Sequence, residues 1–198
     1  NMREAEVKLL RDVIREFEQN GLGLPKEKRV QIQRIQDDIA DLGIRFESNI
    51  SSYQDHIILG EHDMEGLPED YKEARRMDDG RYKIDLTYPS FFPFMKYASS
   101  DEARRELSYR FKNIAADNNL EVLSDLLKKR KELAKILGYS TFAEYQLENR
   151  MAEKPSIVWD FEETIRQRVR DKAEEDYKLL MDKKKAHKGS ASRVYSWE

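Results

Sequence analysis

Residues 119–151 hold the pattern that most constrains the fold, because they predict two helices joined by a tight corner. Apolar residues recur at helical spacing up to Gly138, and glycine takes up the left-handed conformation that ends many helices without steric cost. Thr141 and Glu144 then match the capping box that begins a helix, predicted here to run through Met151. The apolar face of the first helix is predicted to contain Leu120, Leu123, Leu127, Ala134 and Leu137, with Arg130 as its one polar position.

Apolar residues three and four positions apart also recur through most of the remaining chain, which predicts a mainly α fold built as an array of long antiparallel helices. The first helix is predicted to close at Asn20 and Gly21. A second begins at Pro25, and its apolar stripe continues to Ile57. The same spacing is compatible with a coiled coil, but the other helices carry matching stripes, so packing within the molecule is favoured.

Two further helices follow. Ser99 and Glu102 form a predicted capping box, and Pro155 begins the last helix, whose pattern fades into a loop at the lysines of 183–185. The apolar stripe of the last helix is predicted to contain Val158, Phe161, Ile165, Val169, Ala173 and Leu180.

A short β element is predicted near residues 81–88, where apolar and polar residues alternate strictly. Its partner strand lies either around residues 54–59 or outside this chain. The aromatic run at 91–97 is predicted to be core beneath a loop, so the strand and an aromatic loop occupy residues 79–98. We see no repeat and no linker, and therefore expect residues 1–198 to form a single helical domain.

Several short motifs, in order along the chain, resemble the thimet-oligopeptidase family of zinc metallopeptidases. They are Asp79-Gly80-Arg81-Tyr82-Lys83-Ile84, Tyr88-Pro89, Phe92-Pro93, Met95, Glu102-Arg104-Arg105, Arg130, Glu132, Ala134, Leu137-Gly138-Tyr139, Met151-Ala152 and Tyr195-Ser196-Trp197. The resemblance implies a helical enzyme of two lobes flanking a deep, narrow channel that admits short peptides. It also implies a zinc site beyond the tryptophan that Trp197 resembles. Glu198 stands where the family usually has aspartate.

The zinc-binding His-Glu-x-x-His signature is absent from these 198 residues, whose three histidines are His56, His62 and His187. Two of these, with Glu61 and Asp63, are close in sequence and could bind a metal adventitiously, although a solvated loop is the favoured interpretation. We therefore assign no catalytic, cofactor-binding or metal-binding residue to this chain. Arg130 and Glu132 are predicted to form a buried pair that fixes helix register.

Composition narrows the partners and the compartment. The net charge is −3 with both signs interspersed, which argues against binding to nucleic acid or to an anionic membrane. The sequence contains no cysteine and no apolar run of transmembrane length, and the cytoplasm, with the mitochondrion as an alternative, is the expected location.

The chain starts inside a helical pattern and stops on an aromatic segment, so we expect a piece of a longer protein. By the resemblance it belongs to a zinc-dependent metalloendopeptidase that hydrolyses short peptides, forms one wall of the channel and is inactive without the missing C-terminal catalytic half. The alternative is a non-catalytic helical scaffold that binds a partner protein through its apolar stripes. In either case apolar surface should lie bare along the first and last helices and at 91–97, and self-association would hide it.

Overall fold

The structure is a computed structural model that describes residues 3–198. It is mainly α, as the spacing predicts. Its contacts divide the chain into two compact units, each assembled from two stretches. Unit 1 contains Asn1–Ser48 and Asp117–Arg168, and unit 2 contains Asn49–Ala116 and Val169–Glu198. That the whole chain forms one domain stays a prediction.

The helices and strands of the described residues follow one another in a simple order. The helices are α1 (Glu4–Gln19), α2 (Lys26–Ser51), α3 (Glu69–Glu73), α4 (Tyr88–Tyr97), α5 (Asp101–Lys112), α6 (Ala116–Leu137), α7 (Phe142–Leu147) and α8 (Pro155–Lys188). The strands are β1 (His56–Leu59) and β2 (Tyr82–Asp85), and a short 3-10 helix occupies Glu61–Met64.

Unit 2 is organised around the two strands, which pair antiparallel with Ile57 opposite Ile84. This confirms the β element and places its partner strand within residues 54–59, one of the two predicted alternatives. The pairing satisfies backbone groups that a lone strand would leave open. Helices α4 and α5 pack on the strands and complete a core that includes Ile57, Met64, Ile84, Phe94 and Leu107.

The aromatic run forms helix α4, so the prediction of an aromatic loop is wrong. Pro89 occupies the first turn, where its missing N–H costs no intrahelical bond. Pro93 inside the helix cannot donate to the Pro89 carbonyl, but the Arg75 guanidinium donates to that oxygen instead, at 2.9 Å. Phe91 and Phe94 are buried, which keeps the predicted core role of the run.

Helix α2 ends at Ser51, six residues before the predicted stripe ends at Ile57. Ile57 belongs to β1, because a few apolar positions fit a strand and a helix equally well and the pairing with β2 decides between them. The cap of α5 is also displaced by one residue. Its N-cap is Ser100, whose hydroxyl accepts from the Ala103 N–H at 3.3 Å, whereas the Ser99 N–H donates to a loop carbonyl.

In unit 1, helix α6 buries only part of the predicted face: Ala134 is buried and Leu137 packs against the α2 cluster, as predicted. Leu120, Leu123 and Leu127 are exposed, and the buried positions are Asn119, Val122, Leu126, Leu133 and Ala134. Leu133 packs with Ile32 and Ile35 of α2. The Asn119 side chain donates to the Phe46 carbonyl at 3.1 Å, so a polar residue lies on the buried side where the apolar pattern does not indicate it.

The corner after α6 is confirmed. Gly138 is left-handed, with φ of 94°, and Thr141 and Glu144 form the capping box. The following helix ends at Leu147 rather than at Met151. The predicted pair of Arg130 with Glu132 is wrong, because residues two apart on a helix do not face each other.

The partners of these two residues are different ones. The Arg130 guanidinium lies 5.3 Å from the centre of the Phe142 ring. Glu132 is exposed and lies 3.9 Å from the Lys129 ammonium group.

Helix α8 begins at Pro155 as predicted but continues through the lysines of 183–185 to Lys188, so the predicted loop is wrong. No residue of α1 or α8 is buried within the described chain. The bare surface expected along these two helices is therefore confirmed, whereas in the 91–97 run only part of the surface is open, at residues such as Phe92 and Tyr97. Among residues 3–198 we find no helix whose length and apolarity would let it cross a membrane.

Candidate functional site

The last residues of unit 2 form a small ordered cluster. The rings of Tyr195 and Trp197 stack with centres 4.3 Å apart and planes at 17°. The Glu198 N–H donates to the Tyr195 carbonyl at 3.2 Å and closes a turn around them. The Arg193 guanidinium lies 4.1 Å from the centre of the Tyr195 ring, so the stack is covered by a cation on one side.

Two lysines near the end of α8 hold this cluster through Glu198. Lys184 Nζ donates to Glu198 Oε2 at 2.6 Å and to the Arg193 carbonyl at 2.7 Å. Lys188 Nζ lies 3.8 Å from Glu198 Oε1 and also pairs with Asp101 of α5. Burial alone would raise the pKa of Glu198. The hydrogen bonds from Lys184 and the Tyr195 N–H, together with the charges of Lys184 and Lys188, outweigh burial and bring the pKa below its usual 4.5.

A cavity of about 560 Å³ lies between α5 and the Trp197 ring. This volume is in the range of small-ligand sites in proteins. We call it the α5 groove, and it is lined by Glu102, Arg105, Glu106, Ser108, Tyr109, Lys112, Asn113 and Trp197. Tyr109 is 69% exposed, and the Arg105 guanidinium lies 5.9 Å from the Trp197 ring centre.

Some charged side chains along the α5 groove have partners within the described chain, and others do not. Glu106 pairs with Arg110 at 2.9 Å, and the Lys112 ammonium group donates to the Ser196 hydroxyl. Among the described residues, the Glu102 and Arg105 side chains, which both line the groove, form no ion pair or side-chain hydrogen bond, and the Arg105 guanidinium faces the Trp197 ring. The groove therefore offers an aromatic surface, one open carboxylate and one open guanidinium a helical turn apart.

The three histidines lie apart from this groove. His56 is in β1, His62 is in the 3-10 helix and His187 is in the last turn of α8. The first two therefore lie in regular structure and not in the predicted loop, although Glu61 and His62 are solvent-exposed as predicted. Glu61 accepts from the Tyr82 hydroxyl at 2.5 Å, and Asp63 accepts from the Ser100 hydroxyl at 2.8 Å. These carboxylates tie their elements to neighbouring ones.

No group of three or more histidine, aspartate or glutamate side chains that could hold a metal ion is found in the described chain. The residues present therefore do not fit the tetrahedral zinc site that the resemblance implies elsewhere in the family.

Unit 1 contains a second, more polar cavity of about 740 Å³. At its edge Glu148 accepts from Gln19 at 2.6 Å and from the Tyr139 hydroxyl. The hydrogen bonds from Tyr139 and Gln19 lower the pKa of Glu148, while burial and the bond to Glu148 raise the pKa of Tyr139 to about 12. These hydrogen bonds hold α1 against the corner.

Sequence reasoning singled out Arg105 and Trp197 only as parts of the resemblance and did not bring them together. The i to i+3 spacing of Glu102 and Arg105 was the available signal for a common helix face. The contact of Lys184 with Glu198 could not be found because the lysine run was interpreted as a loop.

The family model described as peptidase family M3 matches residues 94–198, which is more than half of the chain. This chain belongs to peptidase family M3. The matched range contains the α5 groove, the corner after Gly138 and the Tyr195–Trp197 cluster. The resemblance to the thimet-oligopeptidase family is thereby confirmed.

Individual members of family M3 show the same relationship over nearly the whole chain. Saccharolysin of Saccharomyces cerevisiae is 29% identical over 196 residues, covering 93% of this chain and 27% of that protein. Oligopeptidase A of Salmonella typhimurium is 28% identical over 213 residues, covering 100% of this chain and 31% of the relative.

Mitochondrial intermediate peptidase of Coprinopsis cinerea is 30% identical over 191 residues, covering 93% of this chain and 24% of that protein. The chain thus spans less than a third of the M3 relatives it matches.

Proposed function

We propose that this chain is part of a zinc-dependent metalloendopeptidase that hydrolyses short peptides, and that it forms one wall of the substrate channel. The family match over residues 94–198 supports the class of enzyme. The observation that carries the structural role is the bare apolar surface of α1 and α8, in which no residue is buried although both are long amphipathic helices. Such faces are typical of helices that pack against further protein.

The catalytic step is assigned to another part of the polypeptide. Peptide hydrolysis by zinc requires three protein ligands and an open position for water, and the described residues provide no such set. We therefore derive no chemical step from these residues. The chain alone is inactive in this proposal, and its contribution is to shape the space in which a peptide binds.

A cleavage assay tests the proposal. The chain alone and the parent-length polypeptide are each incubated with an internally quenched fluorescent peptide, with and without a zinc chelator. We expect chelator-sensitive cleavage from the parent-length protein and none from the chain alone. Robust chelator-sensitive cleavage by these 198 residues would overturn the proposal that the catalytic step lies outside this chain. An inactive parent-length protein would overturn the peptidase assignment.

The bare helical faces also favour one alternative, a non-catalytic scaffold that binds a partner protein through its apolar stripes. Mass spectrometry of the protein in its native source distinguishes the two. A longer polypeptide with a His-Glu-x-x-His sequence supports the peptidase, and a natural terminus near Glu198 supports the scaffold. We place the protein in the cytoplasm, with the mitochondrion as the alternative.

A further inference from the structure

The α5 groove combines aromatic surface with one carboxylate and one guanidinium that form no ion pair. Tyr109 is an exposed aromatic residue, and the Trp197 ring also lines the groove. Glu102 and Arg105 line it with opposite charges that form no ion pair with other described residues. Residues at i and i+3 on a helix are close enough to pair, and here they do not. The Arg105 guanidinium lies instead toward the Trp197 ring.

The chemistry of these groups matches a small zwitterion with an apolar side chain. A guanidinium binds a carboxylate with two parallel hydrogen bonds, and a carboxylate accepts from an ammonium group. Aromatic rings supply contact area for an apolar side chain between the two charges. Anions or cations alone would use only one of the two open groups.

The spacing limits the length of such a ligand. Side chains one helical turn apart have Cβ atoms roughly 5–6 Å from each other, and both Glu102 and Arg105 are long enough to widen that span. The ends of an extended tripeptide are separated by roughly 7–10 Å. The charged ends of a free amino acid are closer together than those of an extended tripeptide.

We propose that the α5 groove binds a short peptide with free termini, whose carboxylate is bound by Arg105, whose ammonium group is bound by Glu102 and whose apolar side chain lies against Trp197 and Tyr109. The choice of a peptide as the ligand rests on the proposed function. The α5 groove adds to that function a surface of this chain that recognises the charged ends of the peptide.

Binding is measured on this chain itself, without zinc and without cleavage. Trp159 is 73% exposed on α8, so the Trp159→Phe variant leaves Trp197 as the single tryptophan reporter. The probe is the tripeptide Ala-Ala-Phe with free termini, titrated while Trp197 emission is recorded. We expect a saturable change in emission.

Matched probes and variants separate the proposed contacts from general adsorption. The same tripeptide acetylated at its N-terminus and amidated at its C-terminus has the same side chains and no charges, and it should bind at least roughly tenfold more weakly. Arg105→Gln and Glu102→Gln, each in the Trp159→Phe background, should weaken binding of the uncapped tripeptide by a similar factor. Arg166→Gln, which changes an exposed arginine of α8 in unit 1, should leave binding unchanged.

The proposal is overturned if no saturable change occurs up to millimolar peptide, or if the capped and uncapped tripeptides bind equally well. It is also overturned if Arg166→Gln weakens binding as much as Arg105→Gln does. Failure of the cleavage assay on the parent-length protein would remove the peptidase assignment but would leave this binding measurement unaffected.

Discussion

The Lys184 ammonium group donates to Glu198 at 2.6 Å, and the two side chains are 14% and 15% exposed. This contact joins the end of α8 to the turn that holds Trp197. Because Glu198 also accepts from the Tyr195 N–H at 2.9 Å, one carboxylate fixes both the helix and the turn.

The first prediction is that the Trp197 turn is released by acid. The pKa of Glu198 is lowered below 4.5 in the folded chain, so its stabilising contribution is complete above pH 4.5 and is lost as the pH falls through the folded value. In the Trp159→Phe background, Trp197 emission should therefore change below pH 4.5. Glu198→Gln lacks the side-chain carboxylate that pairs with Lys184, so an identical transition in that variant would contradict the assignment.

The second prediction concerns Gly66, which has φ of +87°. A Cβ at this position would overlap the Tyr97 carbonyl oxygen, so Gly66→Ala combines a backbone penalty with a clash against backbone. Gly80 has φ of +82° but open space around it, and Gly80→Ala should cost only about 1–2 kcal/mol. Gly66→Ala should cost about 1–3 kcal/mol more in the free energy of unfolding, measured in urea. Equal costs would mean that the Tyr97 carbonyl moves freely.

The third prediction tests the core of unit 2. Phe94 is 0% exposed and belongs to the cluster formed with the strands. Phe94→Ala should lower the free energy of unfolding by about 3–5 kcal/mol, because it leaves a cavity in close-packed surroundings. Leu120→Ala removes an apolar side chain that is 69% exposed and should change it by less than about 0.5 kcal/mol. A loss of several kcal/mol at Leu120 would show that this face of α6 is covered in solution.

The fourth prediction concerns the capping box at the corner. The Thr141 hydroxyl accepts from the Glu144 N–H at 3.1 Å, and Thr141→Ala should cost about 1 kcal/mol in urea unfolding. Ser140 contributes only its backbone N–H, which donates to Glu144 at 3.0 Å. Ser140→Ala is therefore the matched control and should be close to neutral. A larger effect at Ser140 than at Thr141 would reverse the assignment of the cap.

The fifth prediction is that the chain self-associates through its bare helical faces. Phe161 and Ile165 are 62% and 41% exposed and lie one turn apart on α8. The double variant Phe161→Arg with Ile165→Arg should shift light-scattering mass toward the monomer, whereas Glu162→Arg, also on α8, should not. A strict monomer for the unaltered chain at micromolar concentration would contradict the prediction.

Local chemistry explains which parts of the fold were predictable. The left-handed Gly138, the Thr141–Glu144 cap and the start of α8 at Pro155 depend on residues within a few positions of one another, and each is confirmed. The alternation at 81–88 was equally local, and its strand Tyr82–Asp85 is confirmed.

Two of the errors have a different origin, because residues distant in sequence decided the structure there. Helix α6 has apolar residues on more than one face, and contact with Ile32 and Ile35 selects the face that contains Leu133. The α4 helix tolerates Pro93 because Arg75 binds the carbonyl that proline leaves open. No periodicity in the sequence contains that information.

The candidate site was predictable only in part for the same reason. Trp197 and Arg105 were noticed as separate motifs, and their approach depends on the turn held by Lys184 and Glu198. That turn became visible only once α8 was seen to continue past the lysine run.

The discontinuous build of the two units has a consequence for synthesis on the ribosome. The hydrophobic cluster of unit 2 extends from Ile57 to Leu107 within one uninterrupted stretch, whereas Ile32 and Ile35 pack with Leu133. At translation rates of roughly 5–20 residues per second, Leu133 follows Leu107 by about 1–5 s. The inserted stretch can therefore close its own core first, and during that interval the two isoleucines of α2 remain available to chaperones.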